Sequence, residues 1–173
     1  MSKWVSLLSH NLHPASTCIY PDGRRLVALA ATLTEDPSSR SLKELEPGFA
    51  AFLLPYLSNI KSQSDHSPFL ELEERADPAA AQQFEVELAA PMINRCFIVT
   101  QNGHYGLALS TARGGDYSRT ILGARAQFIA RPITDLPGHY ELIGEAYIHE
   151  MMEGEVVKMC DDGKFQERDI VFV

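Results

Sequence analysis

Residues 95–109 have the sequence RCFIVTQNGHYGLAL, in which two runs of β-forming residues flank an Asn-Gly pair. Asn102-Gly103 between such runs predicts a β-hairpin, because both residues of a tight two-residue turn adopt positive φ. The first run covers 95–101 and the second covers 104–109. This segment indicates that the second half of the chain is antiparallel β structure.

The rest of the C-terminal half repeats this pattern of short β-forming runs separated by turn residues. Gly114-Gly115-Asp116 and Leu136-Pro137-Gly138 predict turns, since Gly, Pro and Asp supply the backbone conformations that turns need. About six or seven short strands with glycine punctuation predict a small, twisted antiparallel β-barrel rather than a flat sheet. After the hairpin, the predicted strands cover 119–122, 127–131, 139–149, 155–159 and 169–173.

The N-terminal half has helical spacing instead. Apolar residues recur at helical intervals over 24–36, and Pro37 ends that helix. Asp77-Pro78 predicts the start of another helix, which runs to about Met92, because Asp caps helices and Pro suits the first helical position.

The segment between these two helices is apolar but contains prolines. Ser41 followed by Glu44 has the pattern of a capping box. Pro47 and Pro55 then predict either two short helices or one kinked helix. The polar run 61–68 predicts a surface loop.

Together these patterns predict an α+β protein in which N-terminal helices pack on a C-terminal β-barrel. We expect residues 1–173 to form a single domain, with a helical part over 1–93 and a barrel part over 94–173. A chain of 173 residues is long enough to bury a core of its own.

The charge balance argues against nucleic-acid binding. The formal net charge is -8, and proteins that bind duplexes normally carry a basic patch. The densest basic cluster, Arg113, Arg119 and Arg125, is interleaved with small residues and suits one anionic group at most.

Several other classes of protein are disfavoured. Three widely spaced cysteines predict neither a disulfide framework nor a metal site, which favours a reducing, cytoplasmic location. The apolar patch within residues 1–12 is too short for a signal peptide, and no stretch reaches transmembrane length. The motifs of serine hydrolases, P-loop proteins, dinucleotide-binding proteins and zinc proteases are absent from the sequence.

The predicted strand over 139–149 carries most of the candidate site, because side chains alternate between the two faces of a strand. With strict alternation, one face of this strand carries five side chains, which are Glu141, Ile143, Glu145, Tyr147 and His149. Glu145 and His149 would lie roughly 13 Å apart and could flank a bound chain. The alternative interpretation is a solvated polar face of an antiparallel strand.

Four further features have both a functional and a structural interpretation. His149 is the leading general-base candidate, since an ordinary imidazole pKa of about 6.5 suits proton transfer. The alternative interpretation, which is the common one for a lone histidine, is a structural hydrogen-bonder at a strand end. Asp116 could orient a histidine or make an Asx-type turn. Arg131 could bind an enolate, or pair with a glutamate of the 139–149 strand. Tyr105 could donate to a carbonyl oxygen or simply pack.

The C-terminal half resembles the β-barrel module that ends many fungal heterokaryon-incompatibility (HET-domain) proteins. The residues that carry the resemblance are 95–100, 103–107, 115–116, 128–132, 140–149 and 152–155, and a weaker echo covers residues 23–33. The signalling domain that names those proteins is not in this sequence, so we expect a stand-alone module. The sequence departs from the family pattern at Ala108-Leu109 and at Glu150, where the family usually has Gly-Pro and Gly.

Stand-alone chains of this kind also resemble small cyclases found beside fungal polyketide synthases, including ones that form α-pyrone rings. The resemblance implies a cofactor-free and metal-free enzyme that closes a lactone on a polyketide chain. His149 or a nearby carboxylate such as Glu145 would remove a proton, Asp116 would orient a histidine, and Arg131 and Tyr105 would stabilise the oxyanion. The predicted substrate-binding residues are Tyr147, Glu150, Arg119, Phe49 and Phe52, with Tyr56 as a further pocket wall.

A polyketide synthase is the protein partner that this hypothesis implies, and a homodimer is a further option. The second hypothesis is a non-catalytic binding or dimerisation module derived from HET-type proteins. Such a module would present a strand edge or an apolar face to another protein.

Overall fold

The computed structural model describes residues 19–35, 42–57, 73–164 and 167–173. Within these ranges, the elements with defined bounds are three helices, then five strands, a short helix and a final strand. The helices are α1 (Asp22–Thr34), α2 (Leu42–Leu57), α3 (Pro78–Ala89) and α4 (Glu155–Asp161). The strands are β1 (Arg95–Val99), β2 (Tyr105–Leu109), β3 (Tyr117–Thr120), β4 (Gln127–Pro132), β5 (His139–Ile148) and β6 (Val171–Phe172).

The first and third helices agree with the sequence prediction. Helix α1 ends at Glu35, whose φ of 50° is left-handed, so the helix stops before Pro37. Helix α3 begins as predicted, because the carboxylate of Asp77 accepts a hydrogen bond of 2.9 Å from the N–H of Ala79 and Pro78 occupies the first helical position.

Helix α2 is continuous, with Pro47 and Pro55 both inside it, so the alternative of two short helices is wrong. The predicted cap at Ser41 and the predicted loop over 61–68 lie outside the described residues, as does the apolar patch of residues 1–12. In the part of the chain that is described, no helix has both the length and the apolar character to cross a membrane.

The strands form one six-stranded sheet in the order β1-β2-β5-β4-β3, with β6 paired to β5. The pairs within the main path are antiparallel, whereas β6 runs parallel to β5. The α+β class is therefore confirmed. Among the described residues the pairing follows an open path, with β1 and β3 at its two ends.

The hairpin between β1 and β2 is confirmed, but its turn differs from the prediction. Of the two central residues, Gly103 alone has a positive φ, which is 87°. The N–H of Gly103 donates to the carbonyl of Thr100 at 2.8 Å, and the N–H of Thr100 donates to the carbonyl of His104 at 2.9 Å. The connection is therefore longer than a two-residue turn and needs only one left-handed residue.

The predicted strand over 155–159 is wrong, because these residues belong to helix α4. Gly154, with a φ of 92°, turns the chain into the helix. Glu155 in its first turn and Lys158 in its last turn have the signs that a helix dipole favours. The predicted strand over 169–173 shortens to the two residues of β6.

A β-bulge divides strand β5. Ile129 pairs with Gly144, whereas the next residue of β4, Ala130, pairs with Leu142. Ile143 is therefore an extra residue without a partner of its own. Gly144 suits this position, because its φ of 150° is one that side chains rarely adopt.

The bulge breaks the alternation on which the sequence prediction depended. Residues paired across two strands share a face. Glu141 pairs with Arg131, and Glu145 pairs with Phe128. Because Arg131 and Phe128 are three residues apart on β4, the two glutamates lie on opposite faces. The prediction that Glu141 and Glu145 share a face with Tyr147 is therefore wrong for Glu141.

Two hydrophobic clusters lie on the two faces of the sheet. The larger joins the helices to what we call the helix-side face, and it includes Leu29, Leu33, Phe49, Leu53, Phe84, Phe97, Tyr105, Leu107 and Tyr147. The smaller lies on the second face and includes Ala108, Ile129, Ala146 and Ile148. Burial of these apolar side chains is the main force that holds the helices on the sheet.

Candidate functional site

Three tyrosines and two histidines meet beneath helix α1, where strand β2 begins and strand β5 ends. We call this group the Tyr–His cluster, and its members are Tyr20, His104, Tyr105, Tyr147 and His149. Tyr20 comes from the segment just before α1, and the others follow from the pairing of β2 with β5. Three of the five, Tyr105, Tyr147 and His149, are predicted site residues.

His149 lies at the centre of this cluster and is half-buried. Its Nδ1 lies 3.3 Å from the hydroxyl of Tyr147, and its ring centroid lies 5.6 Å from that of Tyr20. Its backbone N–H donates to the carbonyl of Tyr105 at 2.9 Å, which continues the β2–β5 pairing by one residue. His149 is therefore held by β2 through its main chain, and its imidazole contacts Tyr147 of β5 and Tyr20.

The main chain at His149 is fixed by two side chains. Its carbonyl accepts from the hydroxyl of Tyr20 at 3.4 Å, and Nδ1 of His104 lies 3.3 Å from the same oxygen. The next residue, Glu150, has a φ of 62°, which is unusual for a residue with a side chain. The chain thus turns sharply here and presents the His149 side chain at the end of the strand.

Burial sets the protonation of both histidines. Desolvation is the largest influence on His149 and lowers its pKa below 6.5, while the nearby carboxylate of Glu150 acts in the opposite direction. Burial likewise lowers the pKa of His104, partly offset by the carbonyl of His149 and by Glu150. Both imidazoles are therefore neutral at physiological pH and can accept a proton.

The predicted substrate-binding residue Glu150 lies at the rim of the cluster. It pairs with Arg24 of helix α1 at 3.3 Å. The side chains of Arg24 and Glu150 are 62% and 39% exposed, so this ion pair adds little to stability.

Tyr105 and Tyr147 are largely enclosed in the main hydrophobic cluster. Each is 5% exposed. The ring of Tyr105 packs on Tyr20 and Phe97, with centroid distances of 4.9 and 5.3 Å. Tyr147 combines this packing with a position beside the imidazole of His149, whereas Tyr105 contacts His149 through its carbonyl and packs on Tyr20.

Glu145 is placed away from the cluster. It lies on the helix-side face opposite Phe128, and its side chain is exposed. Four residues of extended strand separate it from His149, which amounts to roughly 13 Å. A role in catalysis together with His149 therefore stays a prediction that no contact between the two supports.

Asp116 and Arg131 form a separate ion pair on the second face. Arg131 Nε donates to Asp116 Oδ1 at 2.9 Å, and its Nη2 donates to Asp116 Oδ2 at 2.9 Å and to the carbonyl of Thr111 at 3.0 Å. Glu141 Oε2 lies 3.6 Å from Arg131 Nη1. The hydrogen-bonded partner of Arg131 is thus Asp116, which neither interpretation of Arg131 named, and Glu141 is a more distant cross-strand partner.

This ion pair determines the protonation of Asp116. Burial tends to raise its pKa, but hydrogen bonds from Arg131 and from the N–H of Arg113 lower the pKa below the ordinary value. Asp116 therefore holds a turn and an arginine rather than a histidine. Arg131 pairs with Glu141, six residues before Tyr147 on β5, which places it roughly 20 Å from the Tyr–His cluster.

Arg119 lies on the helix-side face, near the opposite end of β5 from His149. Its guanidinium stacks on the rings of Tyr117 and Tyr140, and its Nη2 donates to the hydroxyl of Tyr140 at 3.1 Å.

The predicted pocket residues Phe49 and Phe52 lie between two helices. Both pack on Phe84, at centroid distances of 5.3 and 5.5 Å, and so line the contact between α2 and α3. The side chain of Tyr56 is outside the described part of the structure.

The sequence prediction missed Tyr20, His104 and Arg24 as site residues. Tyr20 is 84 residues or more from its partners in the chain, and the sequence around it has no motif, so only the tertiary fold brings it to the cluster. His104 carried a weak signal as the residue next to Tyr105.

The described ranges contain no candidate metal site. Within them, no three side chains of His, Cys, Asp or Glu lie close enough together to bind one metal ion.

Comparison with known proteins gives one result. No match was found among curated proteins or among solved structures. A family model described as the Het-6 beta-barrel domain matches residues 41–166, a span that includes strands β1 to β5 and all of the Tyr–His cluster except Tyr20. The resemblance to the HET-type barrel module is confirmed by this match. The chain therefore belongs to the Het-6 beta-barrel domain family.

Proposed function

We propose that the protein is a cofactor-free cyclase that closes a lactone or α-pyrone ring on a polyketide chain, with His149 as its general base. The observation that carries the proposal is the contact of 3.3 Å between Tyr147 Oη and Nδ1 of the half-buried His149. A tyrosine that fixes one nitrogen of an imidazole leaves the other to exchange a proton with a ligand. The polyketide substrate is an expectation from the resemblance of stand-alone HET-type barrels to small cyclases.

Ring closure by this mechanism needs one proton to move away and return. In the tautomer in which Nδ1–H of His149 donates to Tyr147, Nε2 takes the proton from an enol or δ-hydroxyl of the chain. The resulting oxygen attacks the carbonyl carbon of the thioester at the chain end, and the carbon–sulfur bond breaks. The imidazolium then returns its proton to the leaving thiolate, so that neither a metal nor a redox group takes part.

The oxyanion that forms during this attack needs a donor. We assign this role to Tyr105, whose ring packs on Tyr20, which in turn packs on His149. Arg131 is no longer a candidate for this role, because both of its donating edges are occupied by Asp116, Thr111 and Glu141 on the other face of the sheet.

The test is ring closure by a matched pair of variants. The protein is produced together with a candidate polyketide synthase, and the products are compared by mass spectrometry. His149→Ala should lower pyrone formation at least about 100-fold, the usual contribution of a general base. His139→Ala removes an imidazole from the other end of the same strand and should leave the product unchanged.

Two outcomes contradict the proposal. Unchanged pyrone formation by a folded His149→Ala protein would remove His149 from the mechanism. Identical product profiles with and without the wild-type protein would exclude the cyclase with that synthase.

The second candidate function is a binding or dimerisation module. Among the described residues, strand β3 pairs only with β4, so its other edge is available for backbone hydrogen bonds. A module of this kind predicts a homodimer or a stable complex with the synthase, measured by sedimentation velocity. Complex formation without any change in products would favour it over the cyclase.

A further inference from the structure

The helix-side face of the sheet extends beyond the part that the helices cover. Toward the start of β5, Tyr117 and Leu142 lie on this face and are 48% and 47% exposed. Both pair with Ala130, so the three residues form one row across β3, β4 and β5. Here the protein presents an aromatic and apolar surface to solvent.

Arg119 lies in this surface between two aromatic rings. Its guanidinium carbon lies 4.7 Å from the ring centroid of Tyr117 and 5.2 Å from that of Tyr140. The two rings meet edge to face at 6.2 Å. This stacking holds the planar guanidinium in one orientation, which reduces the entropy that a ligand must remove on binding.

The charge of Arg119 is not balanced by the described part of the chain. Arg24, Arg95 and Arg131 each pair with a carboxylate, whereas no described carboxylate lies within ion-pair distance of Arg119. Its Nε is buried and has no hydrogen-bond partner among the described atoms. A buried donor without an acceptor is costly. Because a ligand cannot reach this buried Nε, an anion would bind the terminal Nη1 and Nη2 groups of the same guanidinium.

We propose that Arg119, Tyr117 and Tyr140 form a binding site for an organic carboxylate, separate from the Tyr–His cluster. A guanidinium binds a carboxylate through two parallel hydrogen bonds. The apolar part of such a ligand would rest on Tyr117 and Leu142. The site does not depend on the proposed cyclase activity.

The surrounding charge favours a singly charged anion over phosphate. Arg119 pairs with Phe128, which pairs with Glu145, so a carboxylate lies two strands away on the same face, at about 10 Å. One arginine and one glutamate offer no excess positive charge for a doubly charged ion. The ligand class is therefore a monocarboxylate with an aromatic or aliphatic body.

The experiment is a titration of the ¹⁵N-labelled protein with sodium benzoate, followed by the Nε–H resonance of Arg119 and by the backbone amide resonances of β3 and β4, which the Arg119 variants also have. We expect saturable shifts with a dissociation constant on the order of 1 mM, as suits a ligand of this size. Acetate, which lacks the ring, should bind at least about tenfold more weakly. Phosphate should bind more weakly than benzoate.

Four variants extend the titration. Arg119→Gln should abolish saturable binding, and Arg119→Lys should weaken it at least about tenfold, because an ammonium keeps the charge but not the fork. Arg125→Gln removes an exposed arginine from the loop between β3 and β4 and should bind benzoate like the wild type. Tyr117→Ala changes a half-exposed residue and should weaken binding at least about tenfold, which serves as the test if Arg119→Gln fails to fold.

Any of three results would overturn the proposal. The first is a set of chemical shifts that do not saturate with benzoate. The second is a benzoate affinity of folded Arg119→Gln or Tyr117→Ala that equals that of the wild type. The third is tighter binding of phosphate than of benzoate.

Discussion

At the scale of one residue, burial lowers the pKa of His149 and favours its neutral, proton-accepting form. Its folded pKa lies below 6.5, so the folded protein binds fewer protons than the unfolded chain as the pH falls. The stability that the neutral imidazole contributes is therefore complete above the unfolded pKa of about 6.5 and is lost as the pH falls toward the folded value. His104, whose pKa is also lowered, adds to the same acid-side loss.

Glu150→Gln should lower the pKa of His149 further. Burial is the largest influence on this imidazole, and the Glu150 carboxylate is the main group that opposes it. The measurement is the pH dependence of the His149 ring proton shifts in NMR spectra. Glu153→Gln is the matched control, because Glu153 is close in sequence but is not among the groups that shift His149. A rise in the His149 pKa on Glu150→Gln would contradict this account of the cluster.

The candidate site could be predicted from the sequence only in part. His149, Tyr147 and Tyr105 follow from the β pattern, because strands carry such residues to a common end. Tyr20 and the ion pair of Arg131 with Asp116 depend on tertiary placement, which local spacing does not encode. Asp116 in particular has the sequence context of a turn, and nothing in that context specifies an arginine partner.

At the scale of single elements, strand β2 depends on Gly106, its second residue. A Cβ at this position would lie 2.6 Å from the carbonyl oxygen of Tyr147 and 2.6 Å from Cδ1 of Ile148. Gly106→Ala should therefore lower the free energy of unfolding by about 2–3 kcal/mol, since a backbone oxygen in a paired strand cannot move away.

The control for this prediction is Gly114→Ala. No atom lies within 4 Å of a Cβ at Gly114, so the change should be within about 0.5 kcal/mol of zero. Urea unfolding followed by circular dichroism gives both values. Equal stability of the two variants would show that the close approach of β5 to Gly106 is not rigid.

The elements themselves could largely be predicted from the sequence. The helices α1 and α3, the hairpin and the strands through β5 follow from apolar periodicity and turn residues. Helix α4 could not, because Val156-Val157 favours a strand by propensity and seven residues are too few to show a helical period. The bulge in β5 was likewise hidden, since Gly144 signals an irregularity without fixing which residue is unpaired.

At the scale of the whole molecule, the helices and the sheet share one hydrophobic cluster. Phe49 of α2 is fully buried in it, together with residues of α1, α3 and the sheet. Arg95 of β1 also pairs with Glu35 at the end of α1, which adds a polar link between the two parts. This shared cluster favours the prediction that residues 1–173 form a single domain.

Phe49→Ala should therefore destabilise the helices and the sheet together. We expect a loss of about 3–4 kcal/mol, typical of removing a buried phenylalanine. Helical far-ultraviolet and tyrosine near-ultraviolet circular dichroism should report the same urea midpoint for the wild type and for the variant. Val86→Ala, at a position 65% exposed on α3, should change stability by less than about 0.5 kcal/mol. Separate midpoints for the two signals would indicate two folding units.

The unpaired Ile143 determines which side chains of β5 lie beside Arg119 and which lie beside Arg131. If Ile143 instead paired with Ala130 in a regular register, Tyr140 would project on the side of Arg131, and Glu141 would project on the side of Arg119. Arg119 would then meet an acid in place of a ring, and its charge would be neutralised inside the chain. The unpaired residue thus keeps the guanidinium of Arg131 bound to carboxylates and leaves that of Arg119 without a carboxylate partner among the described residues.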